Sequence, residues 1–356
     1  MGVPGHARET EAPLFVLSPN QVHRFYQGGA QIARFRALEV AGDGPEDWVA
    51  STTTVADEPQ AGLTRLPDGR LLADAIDQDP TWFLGPGHVA AYGTDSGLLV
   101  KLLDAGERLP VHCHPDRAYS RANLGCVHGK TEAWIVLAAG GADPCVYLGF
   151  AAPVPAGVLA GWVARQDAAA LLGSLHKLPV VPGDSILVPA GTPHAIGPGV
   201  FVAELQEPTD LSILLEWRGF VDDGAQAGTL GLGFDRALGA VDRTPWDAGR
   251  LAAVRRGAQP GGGAQPDGGG VTRLLPPAAD SFFRADRLRP DRGLSLQLDA
   301  GYAVWVVASG RGVLHTVRGG SLELSPGMTV LVAYGDGPAR LTGPVEVIRC
   351  QPPAPG

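Results

Sequence analysis

The sequence predicts a mainly β protein built from two barrel- or jelly-roll-like units with a few short helices. Between residues 96 and 220, short apolar runs alternate with Gly/Pro turns, a pattern typical of β-sandwiches and barrels. Gly (50 residues) and Pro (31 residues) are abundant in the 356-residue chain, which favours many short strands joined by tight turns. A second β-rich block, from about residue 271 to 350, echoes the first.

Two gap-free alignments show this sequence repeat. Residues 182–191 (PGDSILVPAG) match 326–335 (PGMTVLVAYG), and the strand beginning Ala133-Trp134 matches the strand beginning Val304-Trp305. The shared Pro-Gly, terminal Gly and Trp indicate a duplicated β unit; the alternative is a chance match of short apolar strings.

Composition shifts divide the chain into four regions. Residues 1–12 are predicted to be disordered, 13–254 form an N-terminal unit, 255–270 are a flexible Gly/Pro/Gln-rich linker, and 271–356 form a C-terminal unit. Short helices are predicted at 74–82 and at 166–175.

Charge and composition exclude several functional classes. The net charge is -9 and no DNA-binding helix pair is visible, which argues against nucleic acid as a partner. The chain has no apolar run of about eighteen residues and a polar N-terminus, so neither a membrane span nor a signal peptide is expected. The four cysteines form no Cys-x-x-Cys pair, which favours reduced thiols and a cytoplasmic location. We expect a monomer or homodimer.

The strongest signal for chemistry is a set of three histidines and one glutamate. His112 and His114 follow Gly106, and alternate residues of a strand share a face, so both side chains point the same way. Gly183, the Pro189-Ala-Gly191 turn and His194 form a second fixed spacing. Glu132 opens an apolar strand between them, where a buried carboxylate needs a cation. These four residues are the predicted metal ligands; Cys113, between two of them, faces away.

Such a donor set suits Zn²⁺, Fe²⁺, Mn²⁺, Co²⁺ or Ni²⁺. The alternative, ordinary surface histidines, fits poorly because three of the nine histidines fall on both spacings. His128 lies near Glu132 in the sequence and is a weaker candidate for the pocket. In the second unit, Ala303 and Pro338 stand where Glu132 and His194 stand in the first, so no metal is expected there.

Both spacings match the two cupin motifs, and three longer stretches resemble a particular family. Residues 97–116, 129–137 and 188–210 resemble the class I mannose-6-phosphate isomerases of the short bacterial type. The resemblance covers about residues 15 to 220. It implies a double-cupin fold, one bound metal ion, zinc in that family, and a sugar-phosphate substrate.

The resemblance also implies roles for individual residues. Trp48, Ser51, Lys130 and Gln206 match substrate-binding positions. Glu204 is the candidate base, and Lys130 would polarise an oxyanion or hold a phosphate. A structural carboxylate and a solvated strand-edge lysine are the plainer interpretations of these two residues.

Two positions depart from the family. His112 replaces a glutamine among the ligands, and Leu214 stands where the family has a catalytic arginine. Arg218, four residues further on, is the candidate replacement because residues 214 and 218 would share a face of a continuing strand. Arg117 and Arg121 are more plausibly exposed loop residues than phosphate ligands.

The resemblance thus implies an aldose–ketose isomerase that interconverts mannose 6-phosphate and fructose 6-phosphate through an enediol(ate). The alternatives are an isomerase or epimerase acting on a different sugar, a sugar-binding cupin without turnover, and an iron-dependent oxygenase.

Overall fold

The computed structural model describes residues 14–39, 44–56, 58–257 and 270–355. Over these ranges the chain forms two β-barrel units from four antiparallel sheets, with short helices on the connections. The predicted fold class is therefore confirmed.

The strands of the N-terminal part and the junction are β1 Phe15–Val16, β2 Gln21–Val22, β3 Glu46–Val49, β4 Leu99–Asp104, β5 His112–Cys113, β6 Glu132–Ala139, β7 Cys145–Phe150, β8 Leu175–Pro179, β9 Ser185–Val188, β10 His194–Ile196, β11 Val200–Gln206, β12 Ile213–Leu214 and β13 Arg255–Arg256. The strands of the C-terminal part are β14 Gly270–Arg273, β15 Arg284–Arg289, β16 Ser295–Leu298, β17 Ala303–Gly310, β18 Gly312–Thr316, β19 Gly320–Leu324, β20 Thr329–Val332, β21 Ala339–Thr342 and β22 Val345–Gln351.

The helices are α1 Gln31–Arg36, α2 Leu72–Gln78, α3 Pro80–Leu84, α4 Pro86–Tyr92, α5 Arg117–Leu124, α6 Ala156–Arg165, α7 Ala168–Gly173, α8 Gly224–Ala227, α9 Phe234–Ala237 and α10 Ala248–Val254. Short 3-10 helices lie at Leu238–Ala240, Pro277–Ala279 and Tyr334–Asp336.

Each barrel unit is made of one larger and one smaller sheet. In the first unit, the strand orders are β13-β9-β6-β11-β4-β3-β2 and β12-β5-β10-β7-β8. In the second unit, they are β1-β20-β17-β22-β15-β14 and β16-β21-β18-β19.

The two units share one strand-pairing pattern at the positions where the sequence repeat aligns them. Strand β6 lies between β9 and β11, and β17 lies between β20 and β22. Trp134 pairs with Ile186, and Trp305 pairs with Val330, at the aligned positions of the repeat. Two units with the same pairing pattern are what duplication of one β unit produces.

The two units pack against each other through an apolar core. One continuous cluster of buried side chains includes Ile135 and Leu187 of the first unit and Val304 and Ile348 of the second. Burying this surface stabilises the fold by the hydrophobic effect. The second unit therefore covers an apolar sheet face of the first, as the sequence predicted.

The structure differs from the predicted boundaries at two points. Strand β1 lies in the predicted first unit but pairs with β20 of the second. Strand β13 lies inside the predicted linker but pairs with β9 of the first unit. The rest of the linker up to residue 269 and the predicted disordered N-terminus at 1–12 lie outside the described residues.

The helices also differ in detail from the prediction. The predicted helix at 74–82 is two helices, α2 and α3, separated at Asp79, whose side chain accepts a hydrogen bond from the Trp82 backbone and caps α3. The predicted helix at 166–175 is α7, which is shorter, and α6 before it was not predicted. No helix in the described ranges is long and apolar enough to cross a membrane. All four cysteines are free thiols.

Candidate active site

Three histidines of the first unit converge on one point. His112 in β5 pairs directly with His194 in β10, and their ring centroids lie 4.1 Å apart. His114 follows β5, and its ring centroid lies 4.9 Å from that of His194. One ring nitrogen from each of the three lies within 4.8 Å of the other two, and all three side chains are buried. Strand β5, the segment that follows it and the turn before His194 thus bring the three imidazoles together. Their role as metal ligands stays a prediction.

Backbone carbonyls orient each of these rings. Nδ1 of His112 bonds Pro110 O at 2.8 Å, and Nδ1 of His194 bonds Thr192 O at 2.8 Å. Nδ1 of His114 bonds Leu211 O at 2.7 Å. A carbonyl only accepts, so each Nδ1 carries the proton and each Nε2 keeps a lone pair; that of His114 accepts from Lys130 Nζ at 3.1 Å. This is the arrangement that commonly holds metal-binding histidines in place.

Glu132 lies against two of the three Nε2 atoms. Its Oε2 is 3.0 Å from Nε2 of His114, and its Oε1 is 3.2 Å from Nε2 of His194. Lone pairs facing each other at this distance repel unless a cation lies close to both. The Lys130 ammonium is near the His114 pair, whereas Nε2 of His194 makes no hydrogen bond. Two donors that each lie about 2.1 Å from an ion, at angles of about 90–110°, are about 3.0–3.4 Å apart.

Unsatisfied atoms point to the same conclusion. Nε2 of His194 and Oε2 of Glu132 are buried and make no hydrogen bond, which is costly without a further partner. Three imidazoles and one carboxylate, two of whose lone-pair atoms make no hydrogen bond, fit a divalent metal ion.

The local electrostatics keep these groups in the states that bind metal. Burial, reinforced by the neighbouring histidines, holds the pKa of His112 well below its usual value. Burial and the charge of Lys130 lower the pKa of His114 to about 3. For Glu132, burial opposes ionisation, but His114 and Lys130 outweigh it and lower its pKa well below the usual value. At neutral pH the imidazoles of His112 and His114 are therefore neutral and the Glu132 carboxylate is ionised, as metal binding requires.

Lys130 and Glu204 lie beside this centre. Nζ of Lys130 is 3.1 Å from Nε2 of His114 and 3.4 Å from Oε2 of Glu132. Glu204 accepts a hydrogen bond from Trp134 Nε1 at 3.2 Å, and its Oε1 is buried without a hydrogen bond. Burial, and then the negative charge of Glu132, raise the pKa of Glu204 to about 7. A carboxyl group in this range can exchange a proton near neutral pH.

Behind Glu204 lies a buried set of charges that the sequence analysis missed. Lys101 Nζ is 3.1 Å from Glu46 Oε2 and 3.6 Å from Glu204 Oε1. Glu46 also accepts from Tyr26 Oη at 2.6 Å and from Trp48 Nε1 at 2.7 Å. The available signal was Lys101 itself, a lysine in the middle of the apolar run Leu99–Leu103, because a buried ammonium group needs a carboxylate partner.

A small cavity of about 20 Å³ joins the metal ligands to these charges. This is room for about one water molecule. Its lining residues are Arg24, Phe25, Tyr26, Glu46, Leu103, Leu109, His112, Lys130, Glu132, Trp134, Ile196, Glu204 and Ser212.

Three of the predicted substrate residues do not line this cavity. Trp48 is fully buried against Glu46 and Lys101. The Ser51 hydroxyl bonds Thr53 O at 3.0 Å. Gln206 pairs with Glu132 across β11 and β6, and its amide donates to the carbonyls of the following loop.

Arg218 does not reach the centre either, and the reason is local. The prediction assumed that a strand continues from residue 214 to 218. Strand β12 ends at Leu214, and Arg218 is exposed in the turn that follows. Its guanidinium lies 5.8 Å from the ring centroid of Trp217. The side chain therefore does not share a strand face with Leu214.

His128 lies apart from the cavity lining, in an ion pair. Its Nε2 is 2.5 Å from Asp95 Oδ2, and its Nδ1 is 3.8 Å from Glu207 Oε1. Hydrogen bonds that His128 donates to Asp95 and then to Glu207 raise the pKa of His128 to about 9. His128 therefore has a structural role in this ion pair and, contrary to the prediction for it, does not line the pocket.

This ion pair leads to a testable prediction about stability. The folded pKa of His128 exceeds its unfolded value, so its contribution is complete below about pH 6.5 and is lost as the pH rises through about 9. We expect His128→Gln to destabilise the protein by about 1 kcal/mol at pH 6, a value discounted for solvent screening of a partly exposed pair. Urea unfolding at pH 6 and pH 10 measures this. An equal loss at both pH values would mean that packing, rather than charge, is responsible.

Comparison with known proteins supports the resemblance. No protein-family model matches the chain. A mannose-6-phosphate isomerase of Streptococcus mutans is 32% identical over 202 residues, which are 56% of this chain and 58% of that protein. A mannose-6-phosphate isomerase of Bacillus subtilis is 34% identical over 118 residues, 33% of this chain and 36% of that protein. In these matches the chain spans less than two thirds of either relative.

Solved structures extend the likeness over the whole fold. The mannose 6-phosphate isomerase of Bacillus subtilis has a TM-score of 0.68 at 18% identity, covering 95% of this chain and 99% of that chain. The apo form of the enzyme from Salmonella typhimurium has a TM-score of 0.69 at 15% identity, covering 96% and 100%. The chain is therefore related in sequence to proteins named mannose-6-phosphate isomerase and has their fold, which confirms the predicted resemblance.

Proposed function

We propose that this chain is a metal-dependent aldose–ketose isomerase that interconverts mannose 6-phosphate and fructose 6-phosphate. The observation that carries the proposal is the convergence of three imidazoles and Glu132 beside a cavity that is lined by His112, Glu132 and a second buried carboxyl, Glu204. The names of the sequence relatives support the same reaction. The N-terminal barrel would be the catalytic unit, and the C-terminal barrel its scaffold.

His112, His114, Glu132 and His194 would hold one divalent ion, which we propose to be zinc. Neutral imidazoles with one carboxylate suit Zn²⁺, although other first-row ions accept the same donors. When bound, the ion would supply Lewis-acid stabilisation of negative charge on the sugar oxygens.

Glu204 would move the proton. Isomerisation takes a proton from one carbon of the C1–C2 pair and returns it to the other, through an enediol(ate). The Oε1 atom of Glu204 is free of hydrogen bonds and the residue lines the cavity, so this atom is available to accept the proton. Lys101, 3.6 Å away, would stabilise its ionised form.

Lys130 would act on the oxygen side of the reaction. Its ammonium group lies within 3.4 Å of Glu132 and lines the cavity, so it faces the place where the sugar oxygens would bind. A positive charge in a site that excludes water stabilises an oxyanion more strongly than the same charge in water.

The first test is turnover. We expect zinc-loaded protein to convert mannose 6-phosphate to fructose 6-phosphate in a coupled assay, because the proposed reaction depends on the metal-binding residues. Chelator-stripped protein is the control, and we expect its activity to return when the metal is added back. Absence of turnover from protein with metal demonstrably bound would contradict the proposal.

The structure favours one alternative substrate class for the same assay. Leu214 is buried directly opposite His112, so an apolar side chain occupies the position of the family's arginine. An isomerase or epimerase that acts on a different sugar is therefore the second candidate, and faster turnover of another sugar than of mannose 6-phosphate would select it. The cytoplasmic location and the monomeric or homodimeric state remain predictions from the sequence.

A further inference from the structure

An arginine from a distant part of the chain lines the cavity, to which neither Leu214 nor Arg218 contributes a positive charge. Arg24 lies between β2 and α1, and its side chain lines the same cavity as His112 and Glu204. Only 9% of this side chain is exposed. Arg24 is thus a buried cation beside the candidate metal centre, supplied by a different element from the one that the family resemblance indicates.

One carboxylate fixes the orientation of this guanidinium. Nη1 of Arg24 donates to Asp210 Oδ2 and Nη2 donates to Asp210 Oδ1, both at 2.9 Å. Asp210 also accepts from the Ala56 backbone at 3.1 Å. A bidentate pair of this kind holds the planar group in one geometry.

The pair leaves donors of Arg24 unused. A guanidinium has five N–H groups, and Asp210 takes two of them. Nε of Arg24 is buried and makes no hydrogen bond; its nearest carboxylate oxygen is Glu46 Oε1 at 3.6 Å. Tyr26 already donates to that oxygen at 2.6 Å. A buried, charged donor without an acceptor is suited to an anionic oxygen brought in by a ligand.

The segment that carries Arg24 is anchored to the sheet below it. A Cβ atom at Gly106 would lie 2.3 Å from the carbonyl carbon of Gly28, so the two backbones can approach only because residue 106 is glycine. The Gln27 backbone donates to Glu107 Oε1 at 2.7 Å. Gly106, the first residue of the histidine motif, therefore also fixes the position of the segment that carries Arg24.

We propose that Arg24 donates to the negative oxygen of the enediolate, in place of the arginine absent at position 214, with Asp210 as its positioning residue. This inference rests on the proposed function. The oxygen is assigned to the reacting end of the sugar because Arg24 shares one small cavity with His112, Glu132 and Glu204. Such preorganised donors act mainly on the transition state.

Two variants and a matched control test this assignment. Arg24→Lys keeps the charge and loses the planar geometry. The double variant Arg24→Met/Asp210→Asn removes the pair without leaving a buried charge unpaired. Arg36→Lys is the control, because Arg36 is also a buried arginine paired with an aspartate, through Nε and Asp47 Oδ2 at 2.7 Å, and does not line the cavity.

The readouts are kcat, KM, metal content, melting temperature and the calorimetric Kd of a hexitol 6-phosphate, which carries the phosphate but cannot isomerise. We expect both Arg24 variants to lose about 100-fold in kcat. KM and the hexitol phosphate Kd should stay within about threefold, and metal content should be unchanged. Arg36→Lys should keep wild-type kcat even if its melting temperature falls.

Several results would overturn the inference. Wild-type kcat in the double variant, or the same loss of kcat in Arg36→Lys, would reduce Arg24 to a structural residue. Weaker binding of the hexitol phosphate with kcat intact would place the sugar's phosphate, rather than the enediolate, at Arg24. Lack of turnover by the metal-loaded wild-type protein would instead remove the proposed function, and this assignment with it.

Discussion

His194→Ala is expected to abolish stable metal binding and to lower turnover to the level of chelator-stripped protein. Nε2 of His194 is buried, lies 3.2 Å from Glu132 Oε1 and makes no hydrogen bond, so its free lone pair has no other evident use. Loss of a residue that only supports a ligand typically costs 10–100-fold in affinity. Loss of a ligand itself should cost at least about 100-fold, measurable by metal titration.

Unfolding supplies a second measurement that needs no substrate. A ligand that binds only the folded protein stabilises it by about 2.7 kcal/mol at a concentration of 100 times its Kd. Wild-type protein should show this gain with zinc, and His194→Ala should not. His176→Ala is the matched control, because His176 is in the same barrel and bonds the Trp246 carbonyl instead. Tight metal binding by His194→Ala would show that the four-ligand assignment is wrong.

Glu204→Gln should have the second large effect, a fall in kcat of about 10²–10⁴-fold with metal content unchanged. Glutamine keeps the shape of the side chain and an oxygen that can accept from Trp134 Nε1. Lys101 keeps Glu46 as its carboxylate partner at 3.1 Å. The substitution therefore removes proton transfer while leaving the surroundings satisfied. Unaltered kcat would remove Glu204 from the mechanism.

The pH profile separates a base from a merely structural carboxylate. Because the base acts only when ionised, kcat/KM should rise with pH through the pKa of Glu204, which burial and Glu132 raise to about 7. A bound dication lowers that pKa, so in the zinc-loaded protein the midpoint of the rising limb should lie below pH 7. Glu204→Gln should lack this limb. Glu216→Gln is the control, since Glu216 is also buried but pairs with Arg108 at 2.6 Å.

The residues that sequence analysis missed are those brought together by long-range folding. Arg24 and Asp210 are 186 positions apart, and Arg24 has no recognisable spacing to any other site residue. Arg218 was favoured instead because it is near Leu214 in the sequence. That argument failed at a local point: β12 is only two residues long, so strand alternation does not extend to residue 218.

The sequence by itself determined the double β unit and the candidate metal ligands. Strand alternation has a period of two and acts over a few residues, so it predicted that His112 and His114 share a face. Strand β5 ends at Cys113, but the pairing of His112 with His194 and the segment after β5 still bring His114 to the same centre. The repeat likewise placed Trp134 and Trp305 at equivalent registers. Only the tertiary structure decided which cations face the cavity, because burial and opposite charge select among arginines and lysines after the chain has folded. Arg24 is held there by Asp210, and the chain turns Arg218 out to solvent.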